Sequence, residues 1–292
     1  MNSDDPFTLH RDRLHAIAYR MTGSVSDADD IVQEAWLRWE RTDTTAVESP
    51  EAWLVRATTN LAIDRSRSIA RRRESYVGPY LPEPLLADAR PQFDDPAHHA
   101  ELVDSLTFAF LVMLDRLEPI ERAVLLLHDV FGYSFSEIAP IVERTSASCR
   151  QIASRTRRRL DDARVARKPI DEAHDERMLN QLVVALGTGD IDAVVALLSP
   201  HIVVTSDGGN ERHAARREVV GIGRASRFLV NLAKRQTPTM TFEFVRSNGA
   251  PALVVRDSGN PFQILTIACA DDGRIARVFS VLNPSKLRAL DV

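Results

Sequence analysis

A run of arginine and glutamine side chains at helical spacing is the part of this sequence best suited to bind nucleic acid. Residues 135–160 read F-S-E-I-A-P-I-V-E-R-T-S-A-S-C-R-Q-I-A-S-R-T-R-R-R-L, in which Cys149, Ile152, Ala153 and Thr156 form an inward stripe. The opposite face carries Arg150, Gln151, Ser154, Arg155, Arg157 and Arg158. Arginine can bind guanine edges through two hydrogen bonds, and glutamine can do the same with adenine. The segment therefore predicts a helix that reads DNA bases.

The same segment predicts two short helices joined by a tight turn. Ser136 is a suitable N-cap for the first helix, the turn follows at Glu143, and Thr145 or Ser146 can cap the second helix. This is the helix-turn-helix pattern, whose second helix enters the major groove. Pro140 removes one backbone hydrogen bond, and Glu143 stands where glycine often adopts a left-handed conformation. The alternative is an ordinary helix hairpin with a solvated basic face.

Length and composition indicate an ordinary globular chain with room for two or three small domains. The 292 residues are 44% hydrophobic and 27% charged, with a net charge of −4. No apolar run approaches the roughly 20 residues that span a membrane, and the N-terminus lacks a secretory signal pattern. Cys149 and Cys269 lie far apart and show no metal-binding spacing. We therefore expect a cytoplasmic protein without a structural disulfide, metal or cofactor.

Two earlier helices have polar outer faces, and the second of these helices carries the other basic cluster of the chain. Ser26 is predicted to cap a helix whose first turn is acidic and whose outer face carries Asp30, Gln33, Glu34 and Arg38. Ser49-Pro50 is predicted to begin the next helix as cap and first-turn proline. One side of that helix presents Asn60, Asp64, Arg67 and Arg71, and Arg72 and Arg73 follow. Trp36, Trp39 and Trp53 are interpreted as core residues rather than base-stacking platforms.

The rest of the chain divides at two changes of composition. Residues 76–97 are rich in proline and are predicted to form an extended linker. Helices are predicted at 98–117 and 119–130, and a second linker runs from Arg164 to Ile170. The remaining residues predict helices at 172–187, 190–198 and 223–235, and strands at 201–205, 240–245, 252–256, 262–270 and 275–281. Turn residues between the last four strands indicate hairpins, and hence an α+β domain with a curved antiparallel sheet.

The order of these motifs resembles the extracytoplasmic-function sigma factors of bacterial RNA polymerase. The first domain carries D-A-D-D-I-V-Q-E-A-W-L-R and A-W-L-V-R-A-T-T-N-L-A-I-D-R-S-R. The second carries L-E-P-I-E-R-A-V-L-L-L-H-D-V-F-G-Y-S-F-S-E-I-A and S-C-R-Q-I-A-S-R-T-R-R-R-L. The remainder, with G-D-I-D-A-V-V-A-L-L-S-P-H-I-V, is similar to a SnoaL-like domain of the nuclear-transport-factor-two (NTF2-like) fold.

This combination is similar to the SigJ-like subgroup, whose motifs W-L-P-E-P, D-G-G-G and N-P-D-K-L each differ here by one residue. The regulatory positions are Tyr80, Leu81, Pro82, Asp207, Gly208, Gly209, Asn283, Pro284 and Lys286. The resemblance implies a multidomain fold of two all-α sigma domains followed by a cone-shaped α+β domain. Its expected parts are 1–75 (region 2, a helical bundle), 76–97 (linker), 98–168 (region 4, with the helix-turn-helix) and 169–292 (SnoaL-like regulatory domain).

The resemblance also implies roles for the exposed polar residues. Binding to the β′ clamp of the polymerase core is expected from Asp30, Gln33, Glu34 and Arg38. Contacts to the minus-ten element are expected from Asn60, Asp64, Arg67, Arg71, Arg72 and Arg73, with the polar loop at 41–49 holding an unstacked base. Contacts to the minus-thirty-five element are expected from Ser148, Arg150, Gln151, Arg155, Arg158 and Arg159. The partners implied are the β and β′ subunits of the core and promoter DNA, with a free chain that is monomeric.

Two other functions fit parts of the sequence. A ligand-sensing helix-turn-helix regulator would bind DNA without polymerase, but it has no need of the helices at 26–73. An enzyme would need convergent acid–base residues in the C-terminal pocket, where the candidates are His201, Asp207, His213 and Glu243. These four form no paired motif, so we expect no catalysis. The sequence therefore favours a sigma factor controlled in cis by its own C-terminal domain, with an unidentified ligand or regulator of that domain left open.

Overall fold

The computed structural model describes residues 5–86, 106–161 and 171–290, which divide into two compact units. The helical unit contains residues 5–74 and 113–161, and the sheet unit contains residues 75–86, 106–112 and 171–290. Parts of three sequence predictions lie outside the described residues: linker residues 87–97, the helix over 98–105, and the second linker at 164–170. The sheet unit thus includes residues 75–86 of the predicted linker and residues 106–112 from the predicted region 4.

The helical unit begins with three helices, α1 (Pro6–Thr22), α2 (Val25–Glu40) and α3 (Pro50–Arg73). Ser49 caps α3 and Pro50 is its first residue, as predicted. The cap of α2 was predicted wrongly: it is Ser24, whose hydroxyl accepts from the Asp27 amide at 3.1 Å, rather than Ser26. The reason is that Gly23 ends α1 in a left-handed conformation, so the backbone turns one residue before α2 starts.

Region 4 contributes four further helices to the described structure, and most of the first one belongs to the sheet unit. They are α4 (Phe108–Leu114), inside which the two units divide, α5 (Pro119–Leu125), α6 (Phe135–Ile141) and α7 (Ser146–Asp161). The predicted helix at 119–130 changes at Leu126–Val130 into a π-helical turn, closed by the bond from the Phe131 amide to the Leu126 carbonyl. The described part of the predicted 98–117 helix is likewise shorter than expected.

The helix-turn-helix is present with one cap moved. Ser134, rather than the predicted Ser136, caps α6, because the S-x-x-E sequence to Glu137 forms a reciprocal capping box. Pro140 lies in the last turn of this seven-residue helix. Glu143 adopts a positive φ of 54°, and Thr145 caps α7 by accepting from the Ser148 amide at 3.1 Å. The turn therefore has the shape that glycine favours, but a glutamate occupies it.

The sheet unit contains three helices and a six-stranded sheet. The helices are α8 (Glu172–Thr188), α9 (Ile191–Leu197) and α10 (Ile222–Ala233). The strands are β1 (Leu198–Asp207), β2 (Val219–Val220), β3 (Met240–Ser247), β4 (Ala250–Asp257), β5 (Asn260–Cys269) and β6 (Ile275–Val281), ordered β2-β1-β6-β5-β4-β3. The β1–β6 pair is parallel, so the prediction of an antiparallel sheet was wrong there. A parallel neighbour needs a long crossover, which the intervening elements supply.

Both faces of the sheet are covered. Leu253, Val255 and Val278 pack with residues of α8, α9 and α10 on one face. Alternating residues such as Val254 and Phe279 pack on the other face with Leu81 of the linker. Since side chains alternate across a strand, the linker and the start of α4 form a second covering layer of the sheet. This layer positions the linker contacts described next.

Candidate nucleic-acid surface and linker clasp

The predicted minus-thirty-five residues lie along α7, but they differ in solvent exposure and in the ion pairs that they form within the chain. Ser148 is half-buried, whereas Arg150, Gln151, Arg155, Arg158 and Arg159 are exposed. Arg155 and Arg159 both bind the buried carboxylate of Glu121 in α5, each at 2.9 Å. Arg158 contacts only the Ser154 carbonyl of its own helix, at 3.5 Å, among the described residues. Arg150 and Gln151 are therefore the side chains on this helix best placed to reach bases without breaking an internal ion pair.

The arginines near the end of α3 also differ in solvent exposure and in their ion pairs. Arg71 and Arg72 are exposed, and Arg72 lies 3.7 Å from Asp27. Arg67 pairs with Asp64 on the same helix at 2.9 Å, and Asn60 is half-buried. Arg73 has a side chain only 21% exposed and binds Asp115 of region 4 at 2.9 Å. Its predicted phosphate contact would thus compete with an internal ion pair.

The predicted core-binding face of α2 and the adjoining loop are open to solvent. Asp30, Gln33, Glu34 and Arg38 are all exposed, with Glu34 and Arg38 paired along the helix at 3.0 Å. In the loop, Asp43 accepts from the hydroxyl and amide of Thr45, and these hydrogen bonds lower the pKa of the Asp43 carboxyl. Trp39 is buried and lies 5.4 Å from the half-buried Trp53 between ring centres. The aromatic pair thus supports the helices, as the sequence indicates.

Regions 2 and 4 are packed together within the helical unit. Arg122 of α5 is buried and donates to the Met21 carbonyl at the end of α1, which also accepts from the Ser66 hydroxyl at 2.9 Å. Tyr133 donates to Glu51 of α3 at 2.9 Å, and Arg13 binds the same carboxylate. Burial is the main reason that the pKa of Tyr133 rises to about 12. These polar contacts are specific, so the unit is held closed by directed bonds as well as by apolar packing.

A single buried carboxylate brings together the three regulatory motifs of the sheet unit. Asp207, at the end of β1, binds the Lys286 ammonium at 2.7 Å and accepts from the Leu81 amide of the linker at 2.8 Å. Its other oxygen accepts from the Tyr76 hydroxyl, which in turn accepts from the Asn283 amide at 2.7 Å. Lys286 also donates to the Leu81 carbonyl. We call Tyr76, Leu81, Asp207, Asn283 and Lys286 the linker clasp.

The linker clasp is sealed from water and sterically tight. The side chains of Asp207 and Lys286 are 0% and 5% exposed. Desolvation by burial and the bond to Asp207 raise the pKa of Tyr76 well above its ordinary value. Gly209 has a φ of 57°, and a Cβ there would lie 2.7 Å from the Asn283 amide nitrogen. The D-G-G sequence is therefore required by a close approach of backbone to Asn283.

The three departures from the subgroup motifs occur where the clasp tolerates them. Tyr80 stands in place of tryptophan and still places an aromatic ring 3.1 Å from the Lys286 nitrogen. Asn210 stands in place of the third glycine and is exposed. Ser285 stands in place of aspartate, and its hydroxyl donates to Asn283 at 2.9 Å. The clasp is thus complete despite all three changes.

A second anchor point was missed by the sequence analysis. Asn248, in the β3–β4 turn, accepts from the Leu85 amide at 3.0 Å and donates its own amide to the Leu85 carbonyl at 2.8 Å. Its side-chain nitrogen also donates to the Leu106 carbonyl at 3.1 Å. One turn residue therefore holds both ends of the chain between residues 86 and 106. The Ser-Asn-Gly sequence signals a hairpin turn, but nothing local indicates the distant partners.

The four candidate catalytic residues are either exposed or already hydrogen-bonded. His201, His213 and Glu243 are exposed, and Asp207 is occupied by the linker clasp. Ligand atoms of His174, Asp175 and Cys269 lie within 4.8 Å of one another, the only such group of three or more in the described part of the chain. However, His174 Nε2 is 2.8 Å from the Gly273 carbonyl, which can only accept, so this nitrogen carries a proton.

No helix in the described ranges is long and apolar enough to cross a membrane.

Comparison with known proteins agrees with this arrangement. Residues 7–73 match the family Sigma-70 region 2, and residues 107–160 match Sigma-70, region 4. SigJ of Mycobacterium tuberculosis (strain ATCC 25618 / H37Rv), described as an ECF RNA polymerase sigma factor, is 35% identical over 96% of this chain and 91% of its own length. SigI of the same strain, a probable ECF sigma factor, is 29% identical over 99% and 98%.

The crystal structure of Mycobacterium tuberculosis SigJ is similar over most of its length. It superposes with a TM-score of 0.75 at 33% identity, covering 96% of each chain. The predicted fold class is confirmed in its architecture: two helical sigma domains precede an α+β domain with a six-stranded sheet. The alternative of a helix-turn-helix regulator that binds DNA without polymerase is not favoured.

Proposed function

Because the chain belongs to the ECF sigma factors, it binds the RNA polymerase core and directs transcription initiation at promoters, and we propose that its sheet unit controls this activity in cis by holding the linker. The observation that carries this proposal is the linker clasp. In it, Asp207 and Lys286 of the sheet unit bind both the amide and the carbonyl of Leu81 in the linker. A separate anti-sigma protein would have to find its target by diffusion, whereas a fused domain acts at high effective concentration.

The closed helical unit explains why control of the linker matters. The minus-ten and minus-thirty-five elements are about 25 base pairs apart by name, which is about 85 Å at about 3.4 Å per base pair. Arg122 hydrogen-bonds directly to Met21, so regions 2 and 4 are in contact here. A closed unit cannot engage both elements on one duplex. Promoter binding therefore requires the two regions to separate.

Regions 2 and 4 are joined by a stretch of chain, and the sheet unit binds residues of that stretch. The linker clasp anchors residues near 76–81, and Asn248 anchors Leu85 and Leu106. Releasing the linker takes from Asp207 the hydrogen bonds of the Tyr76 hydroxyl and the Leu81 amide, and a hydrogen bond to a charged group is worth about 1.5–3 kcal/mol. The Asp207–Lys286 pair is buried on both sides. The clasp thus sets a large energetic barrier to releasing the linker.

The residue roles follow from exposure within this scheme. On the core, the β′ clamp binds the α2 face through Asp30, Gln33, Glu34 and Arg38, and the β subunit completes the partner set. At the minus-ten element, Asn60, Asp64 and Arg67 lie nearest the bases, Arg71 and Arg72 bind phosphates, and the 41–49 loop holds the unstacked base. At the minus-thirty-five element, Arg150 and Gln151 read bases, and Arg158 binds the backbone. These roles are supported by the open surfaces of α2, α3 and α7.

Three further attributes complete the proposal. The sheet unit acts without catalysis, which is supported by the exposure of His201, His213 and Glu243 and by the hydrogen bonds that occupy Asp207. A protein that works with RNA polymerase on promoter DNA acts in the cytoplasm. The free chain is a monomer, since the clasp is completed by residues of the same chain.

The test compares the full chain with Asp207→Asn in run-off transcription with purified core polymerase. Asp207→Asn removes the charge that balances Lys286, so we expect a change in promoter output of at least about threefold. Asp271→Asn, an exposed carboxylate of a turn in the same unit, is the matched control and should leave output unchanged. Spin labels on α2 and α7 should show a longer distance in Asp207→Asn. Identical output and identical distances in all three proteins would refute control by the clasp.

A further inference from the structure

The sheet unit contains an apolar cavity that the promoter-binding function does not use. Its volume is about 330 Å³, at the lower end of the range for small-molecule sites. It is walled by α10 and strands β3–β5, with Leu229, Leu253, Val255 and Leu265 among its lining residues. The aromatic rings of Phe242 and Phe262 also line it. A cavity of this size with this lining can accommodate a ligand that has an apolar body.

The charged residues of the cavity are all basic. Arg212 and Arg235 line it together with His213, and no aspartate or glutamate is among the lining residues. The Arg212 guanidinium lies over the Phe262 ring at 4.7 Å. Neither arginine is ion-paired within the described ranges. We propose that this cavity binds a small apolar molecule with a carboxylate or similar anionic head group.

A neighbouring polar cavity provides room for that head group. Its volume is about 450 Å³, and it shares Arg212 and His213 with the apolar cavity. Its charged lining residues are Arg212, Arg216 and Glu211, so the two arginines outnumber the one carboxylate. The two cavities together match an amphipathic acid, with its tail in one and its head at their common wall.

The same wall connects the ligand to the linker. Val77 and Gly78 of the linker line the polar cavity. The Arg212 amide donates to the Gly208 carbonyl at 3.0 Å, and a Cβ on Gly208 would lie 2.3 Å from the Arg212 carbonyl. These contacts place the Arg212 backbone directly against Gly208, which is next to Asp207 in the chain. A ligand that draws Arg212 away from Phe262 shifts the linker clasp, and this second step rests on the proposed cis control.

The binding step is tested on the full-length protein by isothermal titration calorimetry. The probes are octanoate, decanoate and 2-naphthoate, each below its aggregation concentration, with octan-1-ol, decan-1-ol and 2-naphthalenemethanol as neutral counterparts. At least one acid should bind at least about tenfold more tightly than its alcohol, because a charge-assisted hydrogen bond adds about that factor. No binding by any acid, or equal binding by acids and alcohols, would overturn the proposal.

Variants locate the site. Arg212→Gln and Arg235→Gln should each weaken the acid at least about tenfold and leave the alcohol unaffected, whereas Ala233→Leu should weaken both by filling the cavity. Arg224→Gln removes an exposed arginine of α10 that does not line the cavity, and it should change neither affinity. Thermal melting without probe identifies any variant that fails to fold. Unchanged acid affinity in both folded arginine variants contradicts the assignment.

Transcription separates the two proposals. If the acid binds and changes promoter output in the wild type but not in Asp207→Asn, both the cavity and cis control are supported. If it binds without changing output while Asp207→Asn alters output, the link between cavity and clasp is refuted and cis control stands. If it binds while neither acid nor Asp207→Asn alters output, cis control fails and the binding site stands.

Discussion

Glu121 in the helical unit and Asp207 in the sheet unit are both buried carboxylates that gather cations, but they do so under opposite conditions. Glu121 binds Arg155 and Arg159, whose side chains are 64% and 51% exposed. Asp207 binds Lys286, which is 5% exposed. Exposed ion pairs are screened by salt and exchange readily, whereas buried pairs are neither. The arginines of α7 can therefore be transferred to DNA phosphates, while the linker clasp holds until a larger event opens it.

The largest expected effect is at the buried ion pair between Asp207 and Lys286, called the sealed pair below. Lys286→Met keeps the length of the side chain but leaves Asp207 buried without a cation. We expect the sheet unit to lose about 3–5 kcal/mol of unfolding free energy, measured by urea denaturation. This loss should be nearly the same at low and high salt. A loss below about 1 kcal/mol would mean that the clasp is not the sealed pair described above.

Asn248→Ala should have the next largest effect, because it removes the side-chain bonds to Leu85 and Leu106 at a residue with a φ of 53°. We expect a loss of about 2–3 kcal/mol in urea denaturation, from the unsatisfied linker groups and the backbone strain together. Ser258→Ala, at a φ of 52° in the next hairpin, is the matched control, because its exposed hydroxyl makes a 3.5 Å hydrogen bond to the neighbouring Asp257 rather than to the linker. Equal losses in the two variants would remove Asn248 from the anchoring role.

Glu121→Gln tests the ion pairs that Glu121 forms with the exposed Arg155 and Arg159. Its exposed arginines can be solvated by water, so we expect a loss of only about 1 kcal/mol at low salt and less at high salt. Arg155 and Arg159 become available, so nonspecific DNA affinity of the free chain should rise. A salt-independent loss as large as that of Lys286→Met would erase the difference between the two carboxylates.

The smallest expected effect is at the helix-turn-helix turn. Glu143 has a positive φ, and glycine adopts that conformation without the steric cost of a Cβ. Glu143→Gly should therefore leave stability unchanged or raise it by up to about 1 kcal/mol in thermal or urea unfolding. Glu137→Gly, which removes the capping-box partner of Ser134 in the same motif, should instead destabilise it. A destabilised Glu143→Gly would show that the glutamate side chain contributes to the turn.

Local patterns predicted much of the fold. The 3.6-residue periodicity and caps such as Ser49-Pro50 located α1 to α3, and the Asp-Asp-Gly and Ser-Gly-Asn turns located the hairpins of the sheet. The errors were of two kinds. The cap of α2 moved from Ser26 to Ser24 because Gly23 turns the backbone earlier, and the cap of α6 moved from Ser136 to Ser134 because Glu137 completes a capping box there. The parallel β1–β6 pair was missed because strand partners far apart in sequence leave no local signal.

The candidate sites divide in the same way. The amino-acid sequence by itself determined which residue types are present at which spacing: the arginine face of α7, the acidic face of α2 and the three short motifs of the regulatory domain. Only the tertiary structure decided which charges face one another. It assigned Arg155 and Arg159 to Glu121, and it placed Leu81, Lys286 and Tyr76 on Asp207. The physical reason is that electrostatic energy depends on distance and burial, and both are set by packing between segments that lie 34 to 131 residues apart in the chain.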